Sequence, residues 1–576
     1  MDLVFDIETD DVNATKVWCI VAQNPDTGEI FKFTPNQLEQ GYEFLNTADR
    51  LIGHNIIGFD IPMVHKFGGV DLSKKDIIDT LVLSRLFNPT REGGHSLESW
   101  GYKLGYPKIE FDDYQNYSNE MLTYCVRDVQ LNTLVFQELR KESKGFSKGC
   151  IELEQSVAKI IKEQELNGFK FDMSSAQMLL AELREKMQQI EDEVHATFKP
   201  KWVDDKLVTP YIKKDGNLSK RGLTDDEYQR CLDTQDFSPF MRQTLQEFNL
   251  GSRKQIGEYL IDFGWKPDRF TPTGQPIVDE KTLSEITHIH EAKLIADFLL
   301  LQKRIAQIDS WVEAVQDDGR VHGFVIPNGT ITGRMTHRKP NMAQVPSVSS
   351  PYGKECRACW MVDEGNVLLG VDASGLEIRM LAHYMDDEDF TKEILDGDIH
   401  TANQRAAQLE SRNQAKTFIY ALMYGAGDEK LGKVVGGSTT DGRRAREYFF
   451  DSKPTFKSLR DRVQRAANKK FLKGLDGRKL YIRNNHAALN TLLQGAGAIV
   501  MKKALCILSD RLNVTNTPHK FVANIHDEWQ IEVSECRANK VGQLAVRSII
   551  EAGEFYNLRC PLDGEFKIGR NWSETH

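Results

Sequence analysis

Over the first 150 residues, short apolar runs of strand character alternate with helical stretches. VFDIE, residues 4–8, predicts a strand, and KVWCIVAQ and EIFKF on either side of the turn sequence NPDTG predict a hairpin. LIGHNI is strand-like, and NEMLTYCVRDVQLNTLVFQEL predicts a long helix. This mixture predicts a mixed sheet with helices, an α/β unit in its own right. From 151 to 330 the period changes to that of helices. Asp172 is placed to cap a helix in which Ala176, Leu180, Leu183, Met187, Ile190 and Val194 alternate steps of four and three, a heptad seam. Leu294, Phe298, Leu301, Ile305 and Ile308 repeat that seam, so two helices packing antiparallel into a stalk are expected. Between them, 199–248 is rich in Lys, Asp, Gly and Pro and reads as irregular, either the tip of the stalk or a docking site.

After residue 330 strands return. NVLLGVD is an apolar strand ending in Asp372, LEIRMLAHYM begins a helix, and 386 to about 515 is mostly helical. FVANI–HDE–WQIEV, residues 521–533, predicts a hairpin with acids at its tip.

At 576 residues the chain is too long for one core, and three or four units are expected at about 150 residues each. No apolar run approaches the roughly 20 residues needed to span a bilayer, so no membrane partner is expected. MDLVFDIETD is acidic and lacks a basic n-region, so a secretory signal is not expected either. Nine scattered cysteines suit a reducing cytoplasm. Cys356 and Cys359 form a lone CxxC with no second pair to complete a zinc site, and read as plain thiols. The net charge of −10 argues against nucleic acid, but its distribution does not. Residues 401–480 carry 18 Lys and Arg against 8 Asp and Glu, which leaves −20 on the remainder. A basic block inside an acidic protein is the footprint of a phosphate-rich ligand.

Two acid clusters stand out. Asp6 and Glu8 lie two apart on a predicted strand and so point to one face, where they repel unless something positive sits between them. Asp60, after GHNIIGF, and Asp128, in YCVRDV, could complete a four-acid cage, with Tyr124 one helical turn before Asp128. Oxygen-rich cages suit Mg²⁺ or Mn²⁺. The second cluster is Asp372, at a strand end, and Asp527, at the hairpin tip between His526 and Glu528. An acid at a buried strand end needs a partner, which a shared metal pair would supply; helix capping by Asp372, with Glu377 and Arg379 as a surface pair, is the alternative. Arg412, Lys416, Tyr420 and Tyr424 stand four apart, three times running, and form one stripe on a helix. Such a stripe is either a solvated basic face with half-buried rings or a nucleotide site, with cations on the phosphates and rings under base or sugar. His400, in GDIHT, could add a phosphate donor.

At these residues the sequence resembles the family A (Pol I-type) DNA polymerases, and most closely the replicative polymerases of short-tailed, T-odd-type bacteriophages. VDASGLEIRMLAHYM resembles motif A, RNQAKTFIYALMYGAG motif B and HDEWQIEV motif C, while TGRMTHRKPNMAQVP and LDGRKLYIRNNHAALNTLLQGAGA also match. The N-terminal acids resemble a DEDDy-type 3′–5′ exonuclease. The resemblance implies a multidomain α/β and α+β fold, with an RNase H-like exonuclease domain (1–150) and then a right-hand polymerase. In the latter, 151–330 would be the thumb with an insertion at about 199–248, 331–385 and 516–576 the palm, and 386–515 the fingers.

It also implies roles. Asp372, Asp527 and the carbonyl of Ala373 would hold two Mg²⁺, and Glu528 would be an accessory acid. Glu377, against Tyr420 and Tyr424, would exclude ribonucleotides. His400, Arg412 and Lys416 would hold the incoming triphosphate, with Lys416 as proton donor to pyrophosphate. Arg334 and Gln494 would read the minor groove. His526 would lie near the primer terminus, and Arg478 and Asn490 along the duplex. Tyr420 stands where some members carry Phe, and Tyr there goes with ready acceptance of dideoxynucleotides. Asp6, Glu8, Asp60 and Asp128 would hold two further Mg²⁺, replaceable by Mn²⁺, with Tyr124 orienting the attacking water. A single-subunit RNA polymerase would lack this exonuclease set and normally Glu377. Implied partners are primer-template DNA, dNTPs, helicase–primase and single-strand-binding protein, in the cytoplasm of an infected bacterial host. In known members a long thumb insertion binds host thioredoxin as a processivity clamp. Here 199–248 is short and carries seven Lys and Arg between 199 and 221, so thioredoxin, DNA or another partner all remain open.

Overall fold

The protein is described by a computed structural model covering residues 1–576. The chain divides into two compact units, Met1–Asp172 with Ala314–His576, and Met173–Glu313. The second unit lies inside the 151–330 segment singled out by its helical period.

The larger unit starts with a five-stranded sheet. Its order is Ile30–Phe33, Val17–Gln23, Asp2–Thr9, Arg50–Gly53 and Asp76–Asp79, antiparallel across the first three and parallel across the last three. The Asp2–Thr9 strand is central and sends apolar side chains into cores on both faces. Leu3, Phe5 and Ile7 enter one core, while Val4 enters another with Met121, Cys125 and Val129 of the Asn119–Glu142 helix. Alternation therefore turns Asp6 and Glu8 toward that helix. The LIGHNI strand ends earlier than its composition predicts, at Gly53. Asn55 adopts a left-handed φ of 67°, and a Cβ at position 53 would lie 1.9 Å from Ile56 Cγ2, so the chain turns sharply there.

A four-stranded antiparallel sheet centres the rest of this unit, in the order His519–Ile525, Glu528–Ser534, Asn366–Ala373 and Gly564–Gly569. Asn366–Ala373 is buried along nearly its whole length because it is an inner strand with the Ala538–Phe555 helix packed against it. The Ala488–Val514 helix packs in turn on Ala538–Phe555. The expectation that nothing approaches membrane-spanning character needs correcting. Asn485–Val514 is long and apolar enough by length and composition, with a mean hydropathy of 1.4 in its most apolar window. Asn490, Gln494 and Lys502 interrupt the run, which hid it, and 83% of that window is buried inside the protein, as suits a core helix.

The N-terminal sheet is fixed to this part by polar contacts. Tyr481 Oη donates to the Phe87 carbonyl at 2.6 Å, Lys479 Nζ to the Lys144 carbonyl at 2.9 Å, and Ser147 Oγ to the Asp476 carbonyl. On the Lys148–Asn167 helix, Glu154 is fully buried and binds both Arg478 (2.6 Å) and Lys502 (2.7 Å).

In the smaller unit the two heptad seams lie on Met173–Thr197 and His290–Ala314. Arg184 pairs with Asp309 and Glu193 with His290, a descending order that makes the helices antiparallel. The 199–248 stretch is not irregular. Lys201–Val208 pairs with Phe240–Gln246 as an antiparallel ribbon, and the Asp225–Thr234 helix lies between them in sequence. The strands escaped notice because most of their residues face solvent, Trp202, Leu207, Met241 and Leu245 included, so no buried alternation marks them.

Candidate active site

Asp372 occupies the penultimate position of Asn366–Ala373 and faces Glu528 across the sheet. Asp527 sits in the two-residue turn joining the next two strands, where His526 takes a left-handed φ of 59°. The Ala373 amide donates to the Asp527 carbonyl at 3.2 Å, which fixes the turn against the strand end. Burial, then Asp527 and Glu528, pushes the Asp372 carboxyl up to about 7, and burial likewise raises Asp527. Two carboxyls on one rim, with donors there all oxygen, could hold a hard cation.

Glu528 behaves differently. It is buried, and one oxygen accepts from Gln530 Nε2 at 2.6 Å and Trp572 Nε1 at 2.7 Å while the other meets His576 Nδ1 at 2.7 Å. Burial would raise its carboxyl, but these bonds together hold it below the usual range. Glu528 therefore anchors the floor of the site with both oxygens engaged by protein groups. Gln530, Trp572 and His576 carried no sequence signal of this kind.

The Arg412–Met423 helix is capped by Ser411, whose hydroxyl accepts from the Gln414 amide. Ala415, Phe418, Ile419 and Leu422 bury its inner face, which leaves Arg412 and Lys416 exposed and Tyr420 half-buried on the outer one. Tyr424 is the C-cap, and Gly425 follows at φ 77°, where a Cβ would meet the His486 carbonyl at 2.3 Å. Tyr424 Oη donates to Glu377 Oε2 at 2.6 Å, and Arg334 holds Glu377 Oε1 at 2.8 Å. Glu377 thus links this helix end to the Leu376–Met385 helix, directly after Asp372. The alternative surface pair with Arg379 does not form, because Arg379 donates to the Ser374 and Pro561 carbonyls. Arg412 pairs with Asp398 at 2.7 Å, and Asp398 also caps the Ile399–Ala407 helix that carries His400. Burial, then the charges of Arg412 and Lys416, lowers the His400 pKa.

Arg334, Asn490, Gln494 and His526 line one cleft of about 660 Å³. Arg478 does not join them, contrary to its expected place along a duplex. It is 2% exposed and forms a bidentate pair with Asp476 besides its bond to Glu154, so its guanidinium is a structural tie.

In the N-terminal sheet, Asp6, Glu8 and Cys125 bring ligand atoms within 4.8 Å of one another. The Cys125 thiol, pushed up by burial, donates to the Asp6 carbonyl and is no ligand for a hard ion. Asp60 accepts from the Ile7 amide at 3.1 Å. Burial, with mutual repulsion, raises Asp6 and Glu8, and burial raises Asp60 and Asp128. Tyr124 shares a helix face with Asp128, whose Oδ1 is buried without a hydrogen-bond partner. Sequence reasoning missed two groups nearby. Asp79 is a buried acid that caps the Thr80–Phe87 helix, and Lys108 reaches the cluster at 2.5 Å from Asp128 Oδ2.

The family profile of DNA polymerase family A matches residues 227–574. The chain is 32% identical to the DNA-directed DNA polymerases of Enterobacteria phage T3 and of Escherichia phage T7, in each case across 100% of both chains. It shares its fold, at a TM-score of 0.79 and 19% identity, with the polymerase domain of Pol1 from M. smegmatis, solved with DNA primer-template and dNTP; the match covers 100% of this chain and 96% of that one. The chain belongs to DNA polymerase family A.

Proposed function

We propose that this protein is a template-directed DNA polymerase that extends a primer 3′-hydroxyl with deoxynucleoside triphosphates. What carries this is the meeting of Asp372 and Asp527 on adjacent strand ends, with Glu377 linking that rim to the Arg412–Tyr424 stripe. Family A polymerases generally use divalent metal ions, and the raised, all-oxygen pair fits Mg²⁺ or Mn²⁺, held by Asp372, Asp527 and the Ala373 carbonyl. Bound there, such ions would neutralise the triphosphate and favour the primer alkoxide. The primer hydroxyl loses its proton to solvent, its oxygen bonds to the α-phosphorus, the α–β bridging bond breaks, and pyrophosphate leaves. Arg412, Lys416 and His400 bind the triphosphate, and Lys416 gives its proton to the leaving pyrophosphate. Tyr420 and Tyr424 bear on the sugar and base, and Glu377 crowds the 2′ position. Arg334, Asn490, Gln494 and His526 accompany the primer-template in the cleft they line. Primer extension tests this: Asp372→Ala or Asp527→Ala should remove dNTP-dependent synthesis, and residual synthesis in either would refute it.

We further propose a 3′–5′ exonuclease in the N-terminal sheet. The 3-2-1-4-5 strand order, with acids on its central strand facing a helix that adds Tyr124 and Asp128, supports an RNase H-like centre. Asp6, Glu8, Asp60 and Asp128 would hold the metals, and the orphaned Asp128 Oδ1 fits such use. Asp6→Ala with Glu8→Ala should abolish primer shortening and leave extension intact; loss of both activities would mean that the two sites are not separate.

The exposed apolar face of the ribbon, with Trp202 opposite Leu245 and Leu207 opposite Met241, supports a partner at 199–248, host thioredoxin being one candidate. Helicase–primase and single-strand-binding protein are proposed companions, in the cytoplasm of an infected bacterial host.

A further inference from the structure

The N-terminal acid cluster already faces a cation of the protein's own. Lys108 lies in the irregular stretch between the Leu97–Leu104 and Asn119–Glu142 helices. Its ammonium sits 2.5 Å from Asp128 Oδ2 and 4.7 Å from the centre of the Tyr124 ring. Its side chain is 24% exposed, against 5% for that of Asp128, so it enters the cluster from the solvent side. Its charge acts on Asp6, Glu8 and Asp128 alike. Burial works against that charge, but Asp128 and the neighbouring acids more than offset it, and the ammonium stays protonated at neutral pH.

Two features separate this lysine from a structural ion pair. The buried Arg478–Glu154 pair is held by helix and hairpin residues deep in the core, whereas Lys108 extends from a loop on a flexible four-carbon stem. It also bears on the two residues, Asp128 and Tyr124, whose proposed roles are metal ligand and water-orienting hydroxyl. A cation placed there competes with metal for Asp128, and when displaced it remains within reach of whatever anion arrives with the metal.

We propose that Lys108 is a mobile counter-ion of the nuclease centre, neutralising Asp128 in the metal-free protein and turning to a non-bridging oxygen of the scissile phosphodiester once the carboxylates are taken up by metal. This stands only if the cluster is the exonuclease centre proposed above. In the hydrolysis the water oxygen bonds to phosphorus and the P–O3′ bond breaks. One water proton ends on the departing 3′-oxygen, and a nucleoside 5′-monophosphate is released. Lys108 keeps its proton throughout and donates a charge-assisted hydrogen bond to the phosphoryl group.

The test uses full-length protein carrying Asp372→Asn and Asp527→Asn, so that the N-terminal cluster is the metal site observed. Mn²⁺ binding is followed by electron paramagnetic resonance, and excision of a single-stranded oligonucleotide is measured in single turnover at saturating Mn²⁺. Lys108→Ala should bind Mn²⁺ tighter, by roughly tenfold, because a competing charge has gone. It should nevertheless excise slower at saturation, by roughly 10²-fold, the scale for losing one donor to a phosphoryl oxygen. Lys108→Arg should recover a substantial part of that rate, and unchanged thermal unfolding shows that both variants fold. Excision by Lys108→Ala at the parent rate under saturating metal would overturn the contact to substrate. Weaker or unchanged Mn²⁺ binding would overturn the counter-ion role. Absence of metal-dependent shortening in the parent protein would instead sink the exonuclease assignment itself, whatever Lys108 does.

Discussion

On the proposed function, Tyr420 and Glu377 would decide which sugar is accepted. The Tyr420 ring is half-buried on the helix face that carries Lys416, and its hydroxyl is the only atom that Tyr420→Phe removes. We expect that variant to discriminate against dideoxynucleotides by roughly tenfold more, the scale of one hydrogen bond at about 1.4 kcal/mol per decade. Equal incorporation ratios in a competition assay would exclude the role. Glu377 is immobilised from two sides, by Arg334 and by Tyr424. Truncating it to Ala should cut selectivity against ribonucleotides by roughly 10- to 200-fold, read from the ratio of kcat/KM values. The Asp372 carboxyl, at about 7, gives a pH dependence of definite sign. A carboxyl raised in the fold stabilises the metal-free protein below its ordinary range and loses that contribution as pH rises through about 7. Metal must displace the proton below that pH, so Mg²⁺ affinity at this rim should rise between pH 6 and 8 and then level off; titrations at both pH values check it. These residues were legible because a strand end, a hairpin tip and a four-residue stripe fix side-chain direction locally. Lys108 was not, since an irregular stretch carries no period, and Arg478 misled because its partner Glu154 lies 324 residues away in sequence.

Elements were legible where one face is buried. Leu376–Met385 and the N-terminal start of Asn119–Glu142 fall where their patterns predict, and the acid-tipped hairpin differs from its reading only at the ends. The ribbon of the smaller unit was not legible, because its strands are held by backbone pairing while their side chains stay in solvent. That exposure suggests an experiment at this scale. Trp202 and Leu245 are direct cross-strand neighbours and both more than half exposed. Replacing both by Ser should leave short-primer extension near its parent rate. On a long single-stranded template, under single binding conditions with thioredoxin added, it should shorten the products if that protein docks here. Products lengthened equally in the parent and the variant would remove the ribbon from the interface.

At the scale of the molecule, the buried group of Glu154, Asp476, Arg478 and Lys502 joins a helix after the N-terminal sheet to the hairpin and core helix of the polymerase part. Glu154→Gln would leave two buried cations facing one carboxylate, and should destabilise the larger unit by about 3 kcal/mol, seen as a shift in its denaturation midpoint. No change would mean that water reaches the group. The net charge misleads at this scale, since the basic block proposed to meet phosphate is diluted by acids elsewhere in the chain.

The tie between the two parts has a kinetic consequence. With Tyr481, Lys479 and Ser147 bonded across it, the distance from the Asp372–Asp527 rim to the N-terminal cluster is set by the fold. On the proposed functions, a primer end would change sites by unpairing and moving as a single strand. If excision resides in that cluster, its selectivity comes from the DNA: a mismatched terminus frays more often than a paired one, and an A·T-rich terminus more often than a G·C-rich one. Idle turnover of correctly paired ends should accordingly follow the base composition of the last few pairs.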